Sequence, residues 1–244
     1  PSAGDPLPPL WTWLYFLPLQ RQSEIGQDGH AEKGGFLPPV PLPRRMFAGS
    51  RLQFIAPLRV GDNVSRTSSI LDVSLKNGRT GPLVFVVVRH EVRNNEGLAV
   101  IEEQDIVYRD RPAAGAAIQK PQDVPDAAIW KRKIRPNAVL LFRYSALTFN
   151  GHRIHYDRQY ATEVEGYPGL VVHGPLIATL LLDLVRNNSP HDEVIRFEFR
   201  SVKPLFDTLP FSLSGRVEQD GKTVRLWAAD AAGELAMDAT ATLA

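Results

Sequence analysis

The sequence predicts an α+β protein of two similar halves, each a curved antiparallel sheet wrapped around one buried helix. Strand-like runs separated by turn signals recur in both halves, and one apolar segment has the length and boundaries of a buried helix. A weak internal repeat links the halves. Residues 51–62 and 196–207 share an initial arginine, a phenylalanine three positions later, a proline and a final aspartate.

The composition limits the possible partners. The 244 residues are 43% hydrophobic and 23% charged, which is ordinary for a globular protein. A net charge of +1 argues against nucleic acid as a partner, because a nucleic-acid surface needs a basic excess. No apolar run approaches the roughly 18 residues of a membrane span, so no membrane partner is expected. The absence of cysteine excludes disulfides, thiol nucleophiles and thiolate metal sites, and suits the reducing cytoplasm.

The first half, residues 1–110, is expected to combine a proline-rich arm with a β-meander. The arm carries an apolar aromatic cluster at 11–17, so we expect it to wrap around and pack on a core. The meander covers 51–108, and Asn77-Gly78 is a typical hairpin turn signal within it. No helix pattern is present in this half. Its helix is therefore expected to be missing or to lie before Pro1.

Residues 111–133 are expected to link the halves, since they are rich in proline and alanine and then basic. The second half, 134–244, is predicted to begin with a strand at 138–144. A helix from about Pro175 to Arg186 is apolar nearly all round, which is typical of a buried helix. Four strands are predicted after it, at 194–199, 211–219, 223–229 and 234–243.

One stretch of the second half concentrates residue types suited to acid–base chemistry. Asn150, His152, His155 and Asp157 fall within eight residues, and a His-Gly-Pro sequence then opens the predicted helix. Histidine titrates near neutral pH, and the free N–H groups of a helix start can hold a developing negative charge. Together these features indicate chemistry next to a thioester or ester carbonyl.

The same stretch resembles the motif Ser-Gly-Asp-x-Asn-Pro-x-His of the MaoC-like enoyl-CoA hydratases, which have the hot-dog fold. In that match Asn150 takes the place of the family's aspartate and His155 that of its catalytic histidine. His173-Gly174 is similar to the His-Gly pair that opens the family's central helix. Two longer runs are similar to one branch of this family. Residues 142–157 have the sequence Phe-Arg-Tyr-Ser-Ala-Leu-Thr-Phe-Asn-Gly-His-Arg-Ile-His-Tyr-Asp, and residues 41–51 have the sequence Pro-Leu-Pro-Arg-Arg-Met-Phe-Ala-Gly-Ser-Arg. That branch holds the type 2 hydroxyacyl-thioester dehydratases and the 3-methylfumaryl-CoA hydratases.

The resemblance implies a double hot-dog with a non-catalytic first half and a catalytic second half. It also implies a cofactor-free hydro-lyase that reversibly hydrates a 2-enoyl-CoA or dehydrates a 3-hydroxyacyl-CoA, with an acyl-CoA such as 3-methylfumaryl-CoA as its partner. His155 would carry the proton transfer, because the amide of Asn150 cannot take up a proton and would hold water or substrate. The N–H of Gly174 would polarise the thioester oxygen. An acyl-CoA thioesterase and a non-catalytic acyl-thioester-binding protein stay open as alternatives, and a homo-oligomer is compatible with all three.

Four further residues are candidates for contact with the substrate. Arg44 and Arg45 lie in the branch-specific segment and suit an anionic end of the substrate, although a structural ion pair is equally consistent with them. His173 and Arg153 are candidates through their places in the two motifs. His30, His90 and His191 stand in no pattern that predicts a role.

Asp157 has a structural interpretation, since an aspartate before Arg158-Gln-Tyr-Ala is typical of a helix N-cap. His152, His155 and Asp157 have the chemistry of metal ligands. A single loop must turn three such ligands inward to bind an ion, so no metal site is expected here.

Overall fold

The computed structural model describes residues 1–78, 81–110, 122–125 and 127–244. In this part of the chain the first half contributes four strands, β1 (Arg44–Phe54), β2 (Ser65–Gly78), β3 (Gly81–Asn94) and β4 (Gly97–Arg109). The rest contributes β5 (Trp130–Ile134), α1 (Ala138–Thr148), α2 (Gly174–Asn188), β6 (Val194–Ser201), β7 (Phe211–Val217), β8 (Thr223–Ala229) and β9 (Leu235–Leu243). Short 3-10 turns cover Trp11–Leu14, Gln22–Glu24 and Arg153–His155, and a π-helical turn covers Tyr160–Val164.

The two sheets predicted for the halves join edge to edge into one antiparallel sheet with the order β2-β3-β4-β1-β6-β9-β8-β7-β5. The junction is the pairing of β1 with β6, which places Leu52 opposite Phe197. These strands carry the starts of the two repeated segments. Because β2, β3 and β4 follow β1 in the same spatial order as β7, β8 and β9 follow β6, the halves share one topology, as the sequence repeat predicts.

The second half wraps around α2, its central helix. Leu176, Leu181 and Val185 are buried and pack in one core with Leu213 and Leu226 of the sheet. Full burial of such a side chain stabilises the fold by about 1.5–3 kcal/mol. The apolar helix of the sequence therefore forms where it was predicted, and Leu176 in its first turn is buried in that core.

In the first half the arm covers the sheet, and the described residues before Arg109 form no α-helix. Val40 of the arm packs against Val86 and Val88 of β3. Trp13 contacts Phe47 edge-to-face, and its indole N–H donates to a carboxylate oxygen of Glu102 at 3.0 Å. The predicted packing arm is thus part of the core.

Two local predictions were wrong. Residues 138–148 form a helix rather than a strand, with Leu141, Tyr144 and Ser145 buried at helical spacing. The side chain of Asn137 caps this helix by accepting from the N–H of Leu140 at 2.9 Å. The end of the predicted linker, Trp130–Ile134, is strand β5 and pairs with β7. Two predicted segments lie outside the described residues. They are the remainder of that linker, at 111–121 and 126, and the turn after Asn77-Gly78. None of the helices in the described residues is long and apolar enough to cross a bilayer.

Candidate active site

The loop after α1 brings the chemically active residues together. α1 ends at Thr148, and the left-handed backbone of the next residue, Phe149 (φ 50°), turns the chain back. The side-chain oxygen of Asn150 accepts the N–H of His152 at 3.0 Å. This bond closes the turn and leaves the amide NH₂ of Asn150 without a partner among the described residues.

His155 is buried beneath this loop with a defined tautomer. Its Nδ1 lies 2.8 Å from the carbonyl oxygen of Val171, so Nδ1 carries the hydrogen and Nε2 keeps its lone pair. Burial lowers the pKa of His155 to about 4, although the bond to Val171 opposes the change. At neutral pH the ring is therefore uncharged and can act as a base.

His173 lies against His155 and precedes the first turn of α2. The two rings stack with centroids 3.7 Å apart, and His173 Nε2 is 2.9 Å from the hydroxyl oxygen of Ser145. Its Nδ1 is buried without a partner among the described residues. Burial, followed by the nearby His155, lowers the pKa of His173 as well. His173 is thus packed against the ring of His155, and its contact with substrate stays a prediction.

The first turn of α2 presents free N–H groups. Pro175 has none, and the N–H groups of Gly174 and Leu176 have no acceptor among the described residues. The first bond of the helix runs from Ile177 N to His173 O at 3.1 Å. Because these groups and the helix dipole favour negative charge, this position can hold a thioester oxygen or an enolate.

Two residues of the arm, Asp28 and His30, join the site, and sequence reasoning missed both. The ring of His30 lies 3.9 Å from that of His152, whose ring is edge-on to His155 at 5.4 Å. The carboxylate of Asp28 holds His30 through both the ring Nδ1 and the backbone N–H, each at 3.0 Å. Burial would raise the pKa of Asp28, but the bonds and charge of His30 hold it well below its usual value. Burial lowers the pKa values of His30 and His152.

The arm is fixed here by a close backbone approach at two glycines. A Cβ on Gly29, which has φ +87°, would lie 1.8 Å from the carbonyl oxygen of Gly151. Arg153 strengthens the contact, because its backbone N–H donates to Asp28 O at 2.9 Å and its guanidinium donates to Gln27 O at 3.1 Å. The same guanidinium pairs with Asp157 at 2.8 Å. These contacts give Arg153 a structural role, and its predicted contact with substrate stays a prediction.

Asp157 is the predicted helix cap. Its Oδ1 accepts the N–H of Tyr160 at 3.0 Å, and its backbone oxygen accepts from Ala161 at 2.9 Å. The cap interpretation is confirmed. Asp157 is therefore committed to the local fold rather than to the histidines.

A pocket of about 520 Å³ opens on the arm side of the histidines. His30, His152, Arg44 and Arg45 are among its lining residues. The two predicted arginines differ: Arg44 is 2.8 Å from a carboxylate oxygen of Glu165, whereas Arg45 has no carboxylate partner among the described residues. The structural ion pair thus applies to Arg44, and Arg45 stays a candidate for an anionic ligand.

One group of side chains has the composition of a metal site. Asp28, His30 and His152 each offer a ligand atom, and these atoms lie within 4.8 Å of one another. The group differs from the His152, His155 and Asp157 set considered from the sequence. Its Asp28 Oδ2 and His30 Nδ1 are already joined by the hydrogen bond described above.

Comparison with known proteins defines the class. The family model of the hydroxyacyl-thioester dehydratases type 2 matches residues 10–207, and the chain belongs to this family. The chain is 50% identical over 246 aligned positions to mesaconyl-C(4)-CoA hydratase of Chloroflexus aurantiacus, covering 100% of this chain and 86% of that protein. It is 27% identical over 233 positions to the mitochondrial hydroxyacyl-thioester dehydratase type 2 of Schizosaccharomyces pombe, covering 85% and 77%.

Solved structures confirm the predicted hot-dog fold. HtdX from Mycobacterium tuberculosis aligns with a TM-score of 0.63 at 20% identity, covering 84% of this chain and 80% of that one. A MaoC-like dehydratase from Phytophthora capsici aligns with a TM-score of 0.66 at 12% identity, covering 89% and 79%. At these identities the likeness concerns the fold alone.

Proposed function

We propose that this protein is a hydro-lyase that reversibly adds water to a 2-enoyl-CoA thioester to form a 3-hydroxyacyl-CoA. One observation carries the proposal. A buried, uncharged histidine with its Nε2 lone pair available, His155, stacks on the residue that precedes a helix start with free N–H groups. The 50% identity to a protein named mesaconyl-C(4)-CoA hydratase further supports a thioester of coenzyme A as substrate.

His155 acts as the single acid–base group of the reaction. Its Nε2 takes a proton from water as one O–H bond breaks and the oxygen bonds to C3 of the substrate. The electrons of the C2–C3 double bond then form an enolate on the thioester. The imidazolium returns the proton to C2, so the histidine ends uncharged, as it began. In the reverse direction the same ring removes the C2 proton and gives it to the leaving hydroxyl.

The N–H of Gly174 holds the thioester oxygen while the enolate exists. Removing such a donor typically costs a factor of about 10²–10³ in turnover, which corresponds to roughly 3–4 kcal/mol. The free NH₂ of Asn150 donates to the oxygen that is added at C3. This role is compatible with an amide, because it requires a donor rather than a base.

The arm completes the site from the other half of the molecule. Asp28 fixes His30, and the ring of His30 supports His152, which in turn lies against His155. We assign these residues a positioning role, since their contacts hold the ring of His155 in one orientation. The first half would then be non-catalytic in itself, with its sheet and arm shaping the substrate pocket. A cytoplasmic location and a homo-oligomeric state stay predictions from the sequence.

Incubation with a 2-enoyl-CoA followed by product analysis tests the proposal. We expect loss of the conjugated thioester absorbance and a product heavier by one water, with the thioester intact. Release of free thiol would instead identify a thioesterase. Saturable binding without any product would identify a non-catalytic acyl-thioester-binding protein.

A further inference from the structure

Asp28, His30 and His152 offer a metal ion three ligand atoms that lie within 4.8 Å of one another. A carboxylate and two imidazoles are a ligand set that Zn²⁺ takes in proteins, with a fourth position left for water. Two of the ligands come from the arm and the third from the loop after α1. An ion bound to all three would therefore tie the arm to the loop that carries His155.

The three side chains have free lone pairs at neutral pH. Burial lowers the pKa of both His30 and His152, so their rings are uncharged. When His30 Nδ1 donates to Asp28 Oδ2 over 3.0 Å, Nε2 of the same ring keeps its lone pair, and the carboxylate oxygens keep others. A carboxylate commonly orients a metal-binding histidine through such a bond. The bond between Asp28 and His30 is therefore compatible with a metal and helps to aim the imidazole.

The protein backbone holds these ligands in place before an ion arrives. Gly29 lies between the two arm ligands and Gly151 precedes His152, and a Cβ on Gly29 would lie 1.8 Å from Gly151 O. The N–H of Arg153 donates to the backbone oxygen of Asp28 at 2.9 Å on the other side of His152. Because the two segments are already docked, binding of an ion requires little further ordering.

An ion from solvent can reach the group. All three ligands line the pocket of about 520 Å³, and the side chains of Asp28 and His30 are 37% and 23% exposed. Of the two arginines in this pocket, Arg44 is paired with Glu165 at 2.8 Å. The charge of Arg45 adds to burial in lowering the pKa of both histidines, and the same charge opposes a cation. We therefore expect an ion that exchanges with solvent.

We propose that Asp28, His30 and His152 bind one exchangeable Zn²⁺ ion and that this ion inhibits the enzyme. The inhibition rests on the proposed function, whereas the binding does not. The ring of His152 lies edge-on to that of His155 at 5.4 Å. An ion that draws His152 towards the arm removes this contact from the catalytic ring and fills part of the pocket beside it. No step of the hydration uses the ion.

Titration of the untagged protein with Zn²⁺ against a chromophoric chelator tests the binding. We expect one Zn²⁺ per chain, and Co²⁺ in the same site should give the intense visible absorption of tetrahedral coordination. Mg²⁺ should not compete, because it prefers oxygen ligands. His30→Gln and His152→Gln should each weaken Zn²⁺ binding by about tenfold or more. His191→Gln, at an exposed histidine away from the pocket, is the control and should bind Zn²⁺ as wild type does.

A variant that should gain affinity separates loss of a ligand from misfolding. Arg45→Gln removes the positive charge near both histidines and should strengthen Zn²⁺ binding by about threefold or more. Turnover of a 2-enoyl-CoA by wild type should fall by about tenfold or more when the site is filled. Addition of EDTA should restore it.

The outcomes separate the site from its effect. Absence of stoichiometric binding, or equal Zn²⁺ affinity in wild type and both ligand variants, overturns the site. Weaker binding by Arg45→Gln also contradicts it. Stoichiometric binding with undiminished turnover overturns the inhibition and leaves the site supported. If the protein hydrates no enoyl thioester even in EDTA, the proposed function fails and the inhibition with it, while the titration still decides the metal site.

Discussion

His155 and His173 form a stacked pair with ring centroids 3.7 Å apart and planes inclined by 18°. Both rings are buried, and burial lowers the pKa of each. Two imidazolium ions at this distance would repel each other strongly in a low-dielectric site. The pair is therefore compatible with one transient proton at a time, which is what a single-base hydration requires.

The buried histidines make stability depend on pH in a defined window. The pKa of His155 is about 4 in the folded protein, against about 6.5 for an unfolded histidine. Between these values the unfolded chain binds a proton that the folded site excludes, so stability falls as pH falls from about 6.5 towards 4. We expect a melting temperature that is level above this window and declines within it. The decline should be smaller in His155→Gln, and an identical decline would contradict the account.

Asn150 is expected to contribute both to the stability of its loop and to turnover. Asn150→Ala removes the acceptor of the His152 N–H and should cost about 1 kcal/mol of stability as well as lowering turnover. The effect on stability goes beyond what the sequence motif alone suggests, because that bond is visible only in the structure. Asn150→Asp keeps the acceptor and should retain the melting temperature and more activity than the alanine variant. Full activity of Asn150→Ala would rule out its role in turnover.

Gly174 offers a test of the N–H itself. A Cβ there would lie 3.5 Å from Ser201 Oγ and 4.0 Å from Met237 Cε, which are ordinary contacts, so Gly174→Ala should fold and keep its activity within about tenfold. Gly174→Pro removes the N–H at a first helical position, where proline is tolerated. We expect a fall of about 10²–10³ in kcat for the proline variant at an unchanged melting temperature. Equal activity in both variants would remove Gly174 from the mechanism.

Much of this fold is readable from the sequence, because its signals are local. Turn residues bound the strands of the meander, and α2 is predicted by an apolar run that begins at a proline. The prediction of a strand at 138–144 was wrong because a short apolar run of this kind suits either a strand or a helix. In the structure Leu141, Tyr144 and Ser145 are buried on one helical face, a spacing that only the tertiary contacts reveal.

The site is only partly readable, for a different reason. Asn150, His155 and Gly174 belong to compact motifs; in the structure Asn150 accepts the N–H of His152, and His155 stacks on His173, the residue before Gly174. Their catalytic roles stay predictions. Asp28 and His30 reach the site through tertiary docking of the arm, which no local pattern encodes. The one sequence signal at that contact is a pair of glycines, at 29 and 151, whose meaning appears only when their backbones are seen to touch.

The docked arm can be tested at one glycine. Gly29→Ala would place a Cβ 1.8 Å from Gly151 O, so the arm must move away from the loop. We expect at least about a tenfold loss of turnover and faster proteolysis of the arm. Gly4→Ala is the matched control, because Gly4 has φ +86° but no atom within 4 Å of the added Cβ. Its cost should be limited to about 1–2 kcal/mol of backbone strain, with activity retained. Equal behaviour of the two variants would argue against a role for arm docking.

The most direct test of the central claim is the turnover of His155→Gln with a 2-enoyl-CoA, measured beside its binding of a saturated acyl-CoA that cannot react. If His155 Nε2 is the base that activates water, kcat should fall by about a hundredfold or more while the affinity for the saturated ester changes little. Turnover close to wild type, with binding intact, would show that His155 is a structural histidine and would contradict the mechanism.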